Sequence, residues 1–220
     1  MCGFAGFISS NLTSAEQQRR LMAMGNSLAH RGPDDFGTWV DENTGVSLVH
    51  RRLAVIDLSG AAKQPMCSSN GRYWIAYNGE IYNYKSLRSE LIENGIAFRS
   101  NSDTEVFLES ISFWGLEKAL DKFAGMFAFA LFDTHKSQLF LARDRMGEKP
   151  VYYGWVGKEF VFGSELKALR KHPSWEQSID QAAFAQFLKY GYIPSPFTIH
   201  KNIKKLSPGK IVCLKLIDKK

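Results

Sequence analysis

The spacing of apolar residues changes period several times along the chain, and each change marks an element. Residues 2–9, CGFAGFIS, are apolar and glycine-punctuated, the pattern of a short buried strand. Over residues 15–32, AEQQRRLMAMGNSLAHRG, Leu21, Met24 and Leu28 recur at helical spacing; Ser14 and Gln17 offer a capping box at the start, and Gly32-Pro33 a stop. Strand-like patterns follow at 36–40 and 46–57, joined by the polar turn DENTG, and again in GRYWIAYN, which ends at Asn78-Gly79, a turn signal. Two helices come next. Asn83 stands where it can cap YKSLRSELIENG, with Leu87, Leu91 and Ile92 on one face and Gly95 as the stop, and Ser102 or Asp103 can cap TEVFLESISFWG.

Period two then takes over. GMFAFALFD and SQLFLARD flank THK as a hairpin, and apolar residues on both faces of the first strand require cover on both sides. Further strands are predicted at PVYYGWV and EFVFGS, helices in SELKALRKH and DQAAFAQFLKYG, a loop at YIPSPF with its two prolines, and a last strand at GKIVCLKLI. No repeat, low-complexity tract or linker divides the chain, so 1–220 reads as one domain. Two clusters of strands, each with helices of its own, imply sheets packed face to face with helices outside, a four-layer α+β arrangement.

Composition narrows the function classes. With 220 residues, 45% of them hydrophobic, and sixteen Phe, a full core is available. No apolar run reaches the roughly 18–20 residues of a membrane span and no signal-peptide pattern opens the chain, so the expectation is a cytoplasmic protein without a membrane partner. The net charge of +6 is spread among 22 acidic residues, and only HKNIKKLSPGK and LIDKK are locally basic. That favours a solvated face or a neighbour's contact over nucleic acid. Cys2, Cys67 and Cys213 are far apart and odd in number, which fits neither a disulfide framework nor a zinc site, and no metal is expected. Phosphate-cradling glycine loops and the G-x-S-x-G elbow are absent from the sequence.

Cys2 is the remaining candidate nucleophile. Removal of Met1 would expose its α-amino group, whose ordinary pKa of about 7.7–8.0 leaves a neutral fraction able to take the proton of the same residue's thiol. On the dipeptide MC alone, a small buried hydrophobe is the better-supported reading. Four further stretches change this: HRGPDDFG at 30–37, HRRLAVIDLSGAAKQPM at 50–66, YNGEIYNY at 77–84 and NSDTEV at 101–106. Together with MCGFAGF they resemble the glutaminase domain of class II glutamine amidotransferases, within the N-terminal-nucleophile hydrolases, in the form found in asparagine synthetases. GMFAFALFD, LARDRMGEKPVYYG and GSELKAL continue the resemblance across essentially the whole chain.

The resemblance implies two antiparallel sheets flanked by helices in an αββα sandwich, and a reaction in which Cys2 attacks the side-chain amide of glutamine, giving a thioester and ammonia. It implies that Asn78, through its amide, and Gly79, through its backbone N–H, form the oxyanion hole. It assigns the substrate carboxylate to Arg52 and the substrate ammonium to Asp103, with Glu80 and the backbone around Leu53 and Val55 completing the pocket. Arg51 competes with Arg52, but period two puts the two on opposite faces of a strand, so only one can face the site. Arg31 supports the start of the first strand in this reading, with a helix-terminal arginine as the alternative. His30 and His50 are expected to be structural, Cys67 and Cys213 inert fillers, and Arg143, Asp144 and Arg145 an ion-pair network or domain contact.

Asparagine synthetases continue into a domain that binds ATP through a Ser-Gly-Gly-x-Asp-Ser loop, and these residues hold none. The resemblance therefore implies that residues 191–220 approach an absent synthetase domain, that this domain accepts the ammonia, that ATP and magnesium belong there, and that no cofactor is needed here; it leaves an oligomer open. Two alternatives stand beside it: an acceptor other than aspartate, such as a cell-envelope sugar acid, and a non-catalytic glutamine-binding scaffold.

Overall fold

The computed structural model describes residues 1–175 and 178–216. Eleven strands among them form two antiparallel sheets. The first joins β1 (Gly3–Ile8), β2 (Asp35–Val40), β3 (Val46–Arg52), β8 (Tyr152–Val156), β9 (Glu159–Gly163) and β10 (Ile203–Lys205) in the order β10-β8-β9-β1-β3-β2. The second joins β4 (Met66–Cys67), β5 (Tyr73–Ile81), β6 (Gly125–Asp133), β7 (Gln138–Arg143) and β11 (Ile211–Lys215) in the order β11-β7-β6-β5-β4. Helices α1 (Ser14–Asn26) and α5 (Leu166–Leu169) cover the first sheet, while α2 (Tyr84–Glu93), α3 (Asp103–Trp114) and α4 (Leu116–Lys122) cover the second. A further helix, α6, spans Gln181–Tyr190.

Three apolar clusters fill the three spaces between the four layers, and β6 shows how alternation builds them. Phe127, Phe129 and Leu131 point to the helix side, where they meet Val106, Phe107 and Ile111 of α3. Ala128, Ala130 and Phe132 point the other way and meet Phe4, Leu48 and Phe162 of the first sheet. Phe107 lies 4.3 Å from Phe123, 5.0 Å from Tyr77 and 5.1 Å from Phe129, ring centre to ring centre. Burying one such ring contributes about 1.5–3 kcal/mol, which clamps α3 against β5. The same contact fixes the position of Asp103, at which α3 begins.

The four-layer αββα arrangement matches the expectation from periodicity, but several local features differ. Helix α1 is capped by Thr13 and Glu16, whose backbone and side-chain bonds close the box; Gln17 is buried and donates to Gly45 O and Ser47 Oγ, so it is unavailable as the partner of Ser14. Strand β3 ends at Arg52, and 53–59 is loop. Asn83 caps nothing with its side chain, which instead donates to Lys122 O and accepts from Ala124 N, and Ile92 is exposed. Helix α4 and strands β4 and β10 went unpredicted, each too short to show a period. The basic stretch 200–210 contains β10; of LIDKK only Leu216 is among the described residues, and the predicted last strand is described to Lys215.

The largest difference concerns Asn78-Gly79. The pair is not a turn: β5 runs straight through it to Ile81, with Asn78 opposite Ala128 and Gly79 opposite Phe127 on β6. A side chain at Gly79 would overlap the Met126 carbonyl and the Phe127 Cβ, so the glycine serves a close backbone approach.

Candidate active site

At one end of the sandwich the start of β1, the end of β3, the middle of β5 and the first turn of α3 surround a pocket of about 160 Å³. A single water needs about 10–15 Å³ of such space, so the pocket admits a small metabolite. Cys2, Arg52, Leu53, Val55, Asn78, Gly79, Glu80 and Asp103 all line it, so the eight residues named from sequence lie together.

Cys2 enters from β1. Its sulfur accepts from Leu53 N at 3.4 Å and lies 3.7 Å from Leu53 O, so Leu53 contributes backbone. Arg31 Nε donates to Cys2 O at 2.8 Å, and Arg31 Nη1 pairs with Glu165 at 2.8 Å. Gly3 makes room for this: a Cβ there would come within 2.9 Å of Arg31 Cδ. Burial pushes the Cys2 thiol up, against the Leu53 N–H, the amino terminus and Arg52, which pull it down. A thiol held in its protonated form needs a base to become a nucleophile.

Neither nearby histidine supplies one. His50 is buried, its Nε2 donates to Tyr77 O at 2.9 Å, and burial lowers its pKa to about 4. His30 pairs with Glu165 at 3.1 Å. Both serve packing and charge pairing.

The side of the pocket lined by Asn78 and Gly79 is built by β5. Ala76 faces the first sheet, and period two turns Asn78 the same way, toward β1. Its Nδ2 is buried without a partner among the described residues. On the strand edge that β6 does not occupy, Tyr77 N donates to Gln64 Oε1 at 2.7 Å and Ile81 N to Asp103 Oδ2 at 3.1 Å. Alternation puts the Gly79 N–H on that same edge, between two amides that side chains already hold. Short β4 leaves this edge open, since it pairs only with Trp74 and Ile75.

Arg52, at the end of β3, and Asp103, at the start of α3, both line the cavity. The Arg52 guanidinium donates to Ser59 O at 2.9 Å and to Asp57 O, which fixes it under the 53–59 loop, and a guanidinium carries further N–H groups beyond these two. Arg51 turns away, bonded to Gly25 O and Asn26 and stacked 4.4 Å from the Phe36 ring. Asp103 accepts from Tyr77 OH at 3.2 Å and Ile81 N, yet burial raises its pKa to about 6. A cation beside it would restore the charged form. Val55 is 70% exposed and sits at the mouth.

Sequence reasoning missed four contributors. Asp57 ties the 53–59 loop to Asn101 N at 2.7 Å; Gln64 bridges β5 and Thr104; Tyr77 orients Asp103; and Lys149 reaches the pocket from the loop between β7 and β8. Gln64 and Tyr77 lay inside the motif stretches, but polar residues there are too numerous to single out. The 143–145 charges do not form the ion-pair network that was one of the two expectations for them. Arg143 donates to the carbonyls of Lys149, Leu206 and Gly147, and Asp144 accepts from Phe127, Met146, Glu148 and Lys149 amides, so these charges scaffold a loop through backbone. Only Arg145 approaches a carboxylate, Asp121 at 3.8 Å. Cys213 is exposed on an edge strand and fills nothing; Cys67 is half-buried.

Residues 1–219 match the family model described as a glutamine amidotransferase domain. The chain belongs to the glutamine amidotransferase domain family. Glutamine-hydrolyzing asparagine synthetase 3 of Bacillus subtilis (strain 168) is 39% identical over 211 residues, covering 95% of this chain and 34% of that protein. A putative glutamine-hydrolyzing asparagine synthetase 2 of Methanocaldococcus jannaschii is 36% identical over 224 residues, 94% of this chain and 42% of its own length. Among solved structures, glutamine phosphoribosylpyrophosphate amidotransferase from B. subtilis superposes with a TM-score of 0.68 at 19% identity over 99% of this chain and 49% of that one. The shared architecture is two antiparallel sheets flanked by helices, and a glutamine amidotransferase domain is an enzymatic one. This amidotransferase chain spans about a third of the length of the first of these relatives. No helix among the described residues is long and apolar enough to cross a membrane.

Proposed function

We propose that the domain hydrolyses the side-chain amide of glutamine to glutamate and ammonia through a thioester on Cys2. The observation that carries this reading is the buried, partnerless Asn78 Nδ2 in the pocket that also holds the Cys2 sulfur. An unsatisfied buried donor costs about 1–3 kcal/mol, a cost that makes sense where charge develops only during reaction.

With Met1 removed, the Cys2 α-amine takes the thiol proton as sulfur attacks the amide carbon. The oxygen becomes an oxyanion between Asn78 Nδ2 and the Gly79 N–H. The ammonium then returns its proton to the departing nitrogen; ammonia leaves and the thioester remains. Water, deprotonated by the same amine, attacks the thioester, and collapse releases glutamate and regenerates the thiol. Arg52 holds the substrate carboxylate in a planar contact that lysine could not reproduce, Asp103 holds its ammonium, and Glu80 with the Leu53–Val55 backbone closes the pocket. Nothing in these steps calls for a cofactor.

While Met1 is attached, the Cys2 nitrogen is a peptide amide with no basic lone pair, so in our reading the unprocessed form is inactive. The ammonia passes to a synthetase-type domain or subunit that uses ATP and magnesium to make asparagine from aspartate; the names of the relatives support this acceptor. Free thiols and a substrate abundant in the cytoplasm favour that compartment.

Protein shown by intact mass to lack Met1 is expected to release glutamate from glutamine, and Cys2→Ala to abolish release while keeping the thermal melt. Turnover retained by Cys2→Ala overturns the mechanism. Equal turnover by protein that keeps Met1 removes the amine as base.

A further inference from the structure

Lys149 is 7% exposed, in contrast to the solvated position usual for lysine, and it lines the Cys2 pocket. Its backbone is held on both sides: the N–H donates to Asp144 Oδ2 at 3.0 Å and the carbonyl accepts from Arg143 Nε at 3.0 Å. The ammonium has no carboxylate partner among the described residues. The adjacent Asp144 cannot serve, because both its oxygens are occupied by four backbone amides. Lys149 Nζ instead contacts the thioether of Met1 at 3.1 Å, a weak acceptor one methionine side chain away from the Cys2 nitrogen.

We propose, on the basis of the glutaminase reading above, that Lys149 is a positioning residue for the base: with Met1 gone, its ammonium faces the Cys2 α-amine and keeps that amine unprotonated. Two ammonium groups lining one half-buried pocket cannot both stay charged at low cost. Lysine is ordinarily the stronger base by more than two units, so the α-amine gives up its proton first. The other charges around the amine do not do this. Arg31 is neutralised by Glu165; Arg52 is committed to the 53–59 loop and the substrate carboxylate. Asp57 is bound to Ser59 and Asn101 amides, Asp103 takes the substrate ammonium, and Glu80 favours a protonated amine. Among the described residues neither Lys149 nor Arg52 has a carboxylate partner, but Arg52 keeps its carbonyl acceptors and faces the substrate carboxylate, whereas the departing Met1 removes the described acceptor of Lys149.

The test is the pH profile of kcat/KM for glutamine in Met1-free protein. Lys149→Met is expected to move the acid limb up by about one pH unit, with about tenfold lower turnover near neutrality that recovers at alkaline pH, and Lys149→Arg to restore the original limb. A purely structural lysine would lower the rate equally at every pH. Competitive acetylation of the Cys2 α-amine, followed by mass spectrometry across pH, reads the same shift without turnover and applies to an inactive variant. A limb and an amine titration unmoved by Lys149→Met overturn the inference. Cys2→Ala run alongside separates the two levels: loss of Cys2 dependence sinks the glutaminase mechanism, whereas intact Cys2 dependence with an unmoved limb sinks only the role of Lys149.

Discussion

Two buried carboxylates of the domain are treated in opposite ways. Asp144, in the turn after β7, accepts from four backbone amides and its neighbour Arg143 donates to three carbonyls, so that loop holds its charges fully satisfied. Asp103, at the start of α3, accepts from the Ile81 amide and the Tyr77 phenol, and burial raises its pKa to about 6; in the same pocket Asn78 Nδ2 has no partner among the described residues. Both regions bury polar groups. The first uses them to fix backbone, and the second leaves bonding capacity that only a ligand or transition state fills.

The largest expected effect tests the unsatisfied side. Asn78→Ala removes a donor that makes no described bond in the resting fold, so kcat should fall by ~10² to 10³ while thermal stability holds or rises. A large loss of stability would mean that the side chain is structural after all. Asp144→Ala should do the reverse, lowering unfolding free energy by about 3 kcal/mol in denaturant titration, because several buried amides lose a charged acceptor together. Its remaining folded fraction should bind glutamine with normal KM; a KM change at unchanged stability would erase the distinction.

Much of this contrast could be read from residue order, and some of it could not. Cys2, Arg52 and Asp103 were legible through the resemblance carried by the motifs: on the residues alone Cys2 reads as a small buried hydrophobe and Arg51 competes with Arg52. Asn78-Gly79 was found but misplaced. Asn-Gly is a strong hairpin signal on local grounds, and only the partner strand, passing close enough to exclude a side chain at Gly79, shows that β5 continues. Lys149 and Gln64 were invisible for a different reason. Lysine and glutamine are surface residues by default, and their burial is decided by contacts with Met1, Tyr77 and Thr104 that lie far along the chain. The 143–145 charges looked like an ion-pair network because composition shows which charges are present, not whether backbone carbonyls and amides receive them.

Asp103 gives a pH test of intermediate size. Its folded pKa, about 6, lies above the usual carboxylate value near 3.9, so the folded state holds the proton more tightly than the unfolded chain. The group thus favours folding below pH 4, and this contribution is lost as pH rises through 6, a cost of order 2–3 kcal/mol at neutrality. Asp103→Asn should therefore stabilise the ligand-free domain at pH 7 while raising KM for glutamine, and wild-type KM should climb as pH falls from 7 to 5. A KM flat over that range would show that Asp103 does not hold the ammonium.

The smallest effect comes from the exposed margin of the satisfied region. Arg145 donates to Phe123 O and Leu120 O at 3.0 and 3.1 Å, but its side chain is 60% exposed and its approach to Asp121 is screened. Water can replace both bonds, so Arg145→Ala should cost no more than about 1 kcal/mol and leave kcat and KM unchanged. This sharpens the comparison, since Arg145 is two residues from Arg143 and shares its habit of bonding to carbonyls. If its loss proved as damaging as that of Asp144, the decisive property would be the loop itself and not the burial of the groups its charges satisfy.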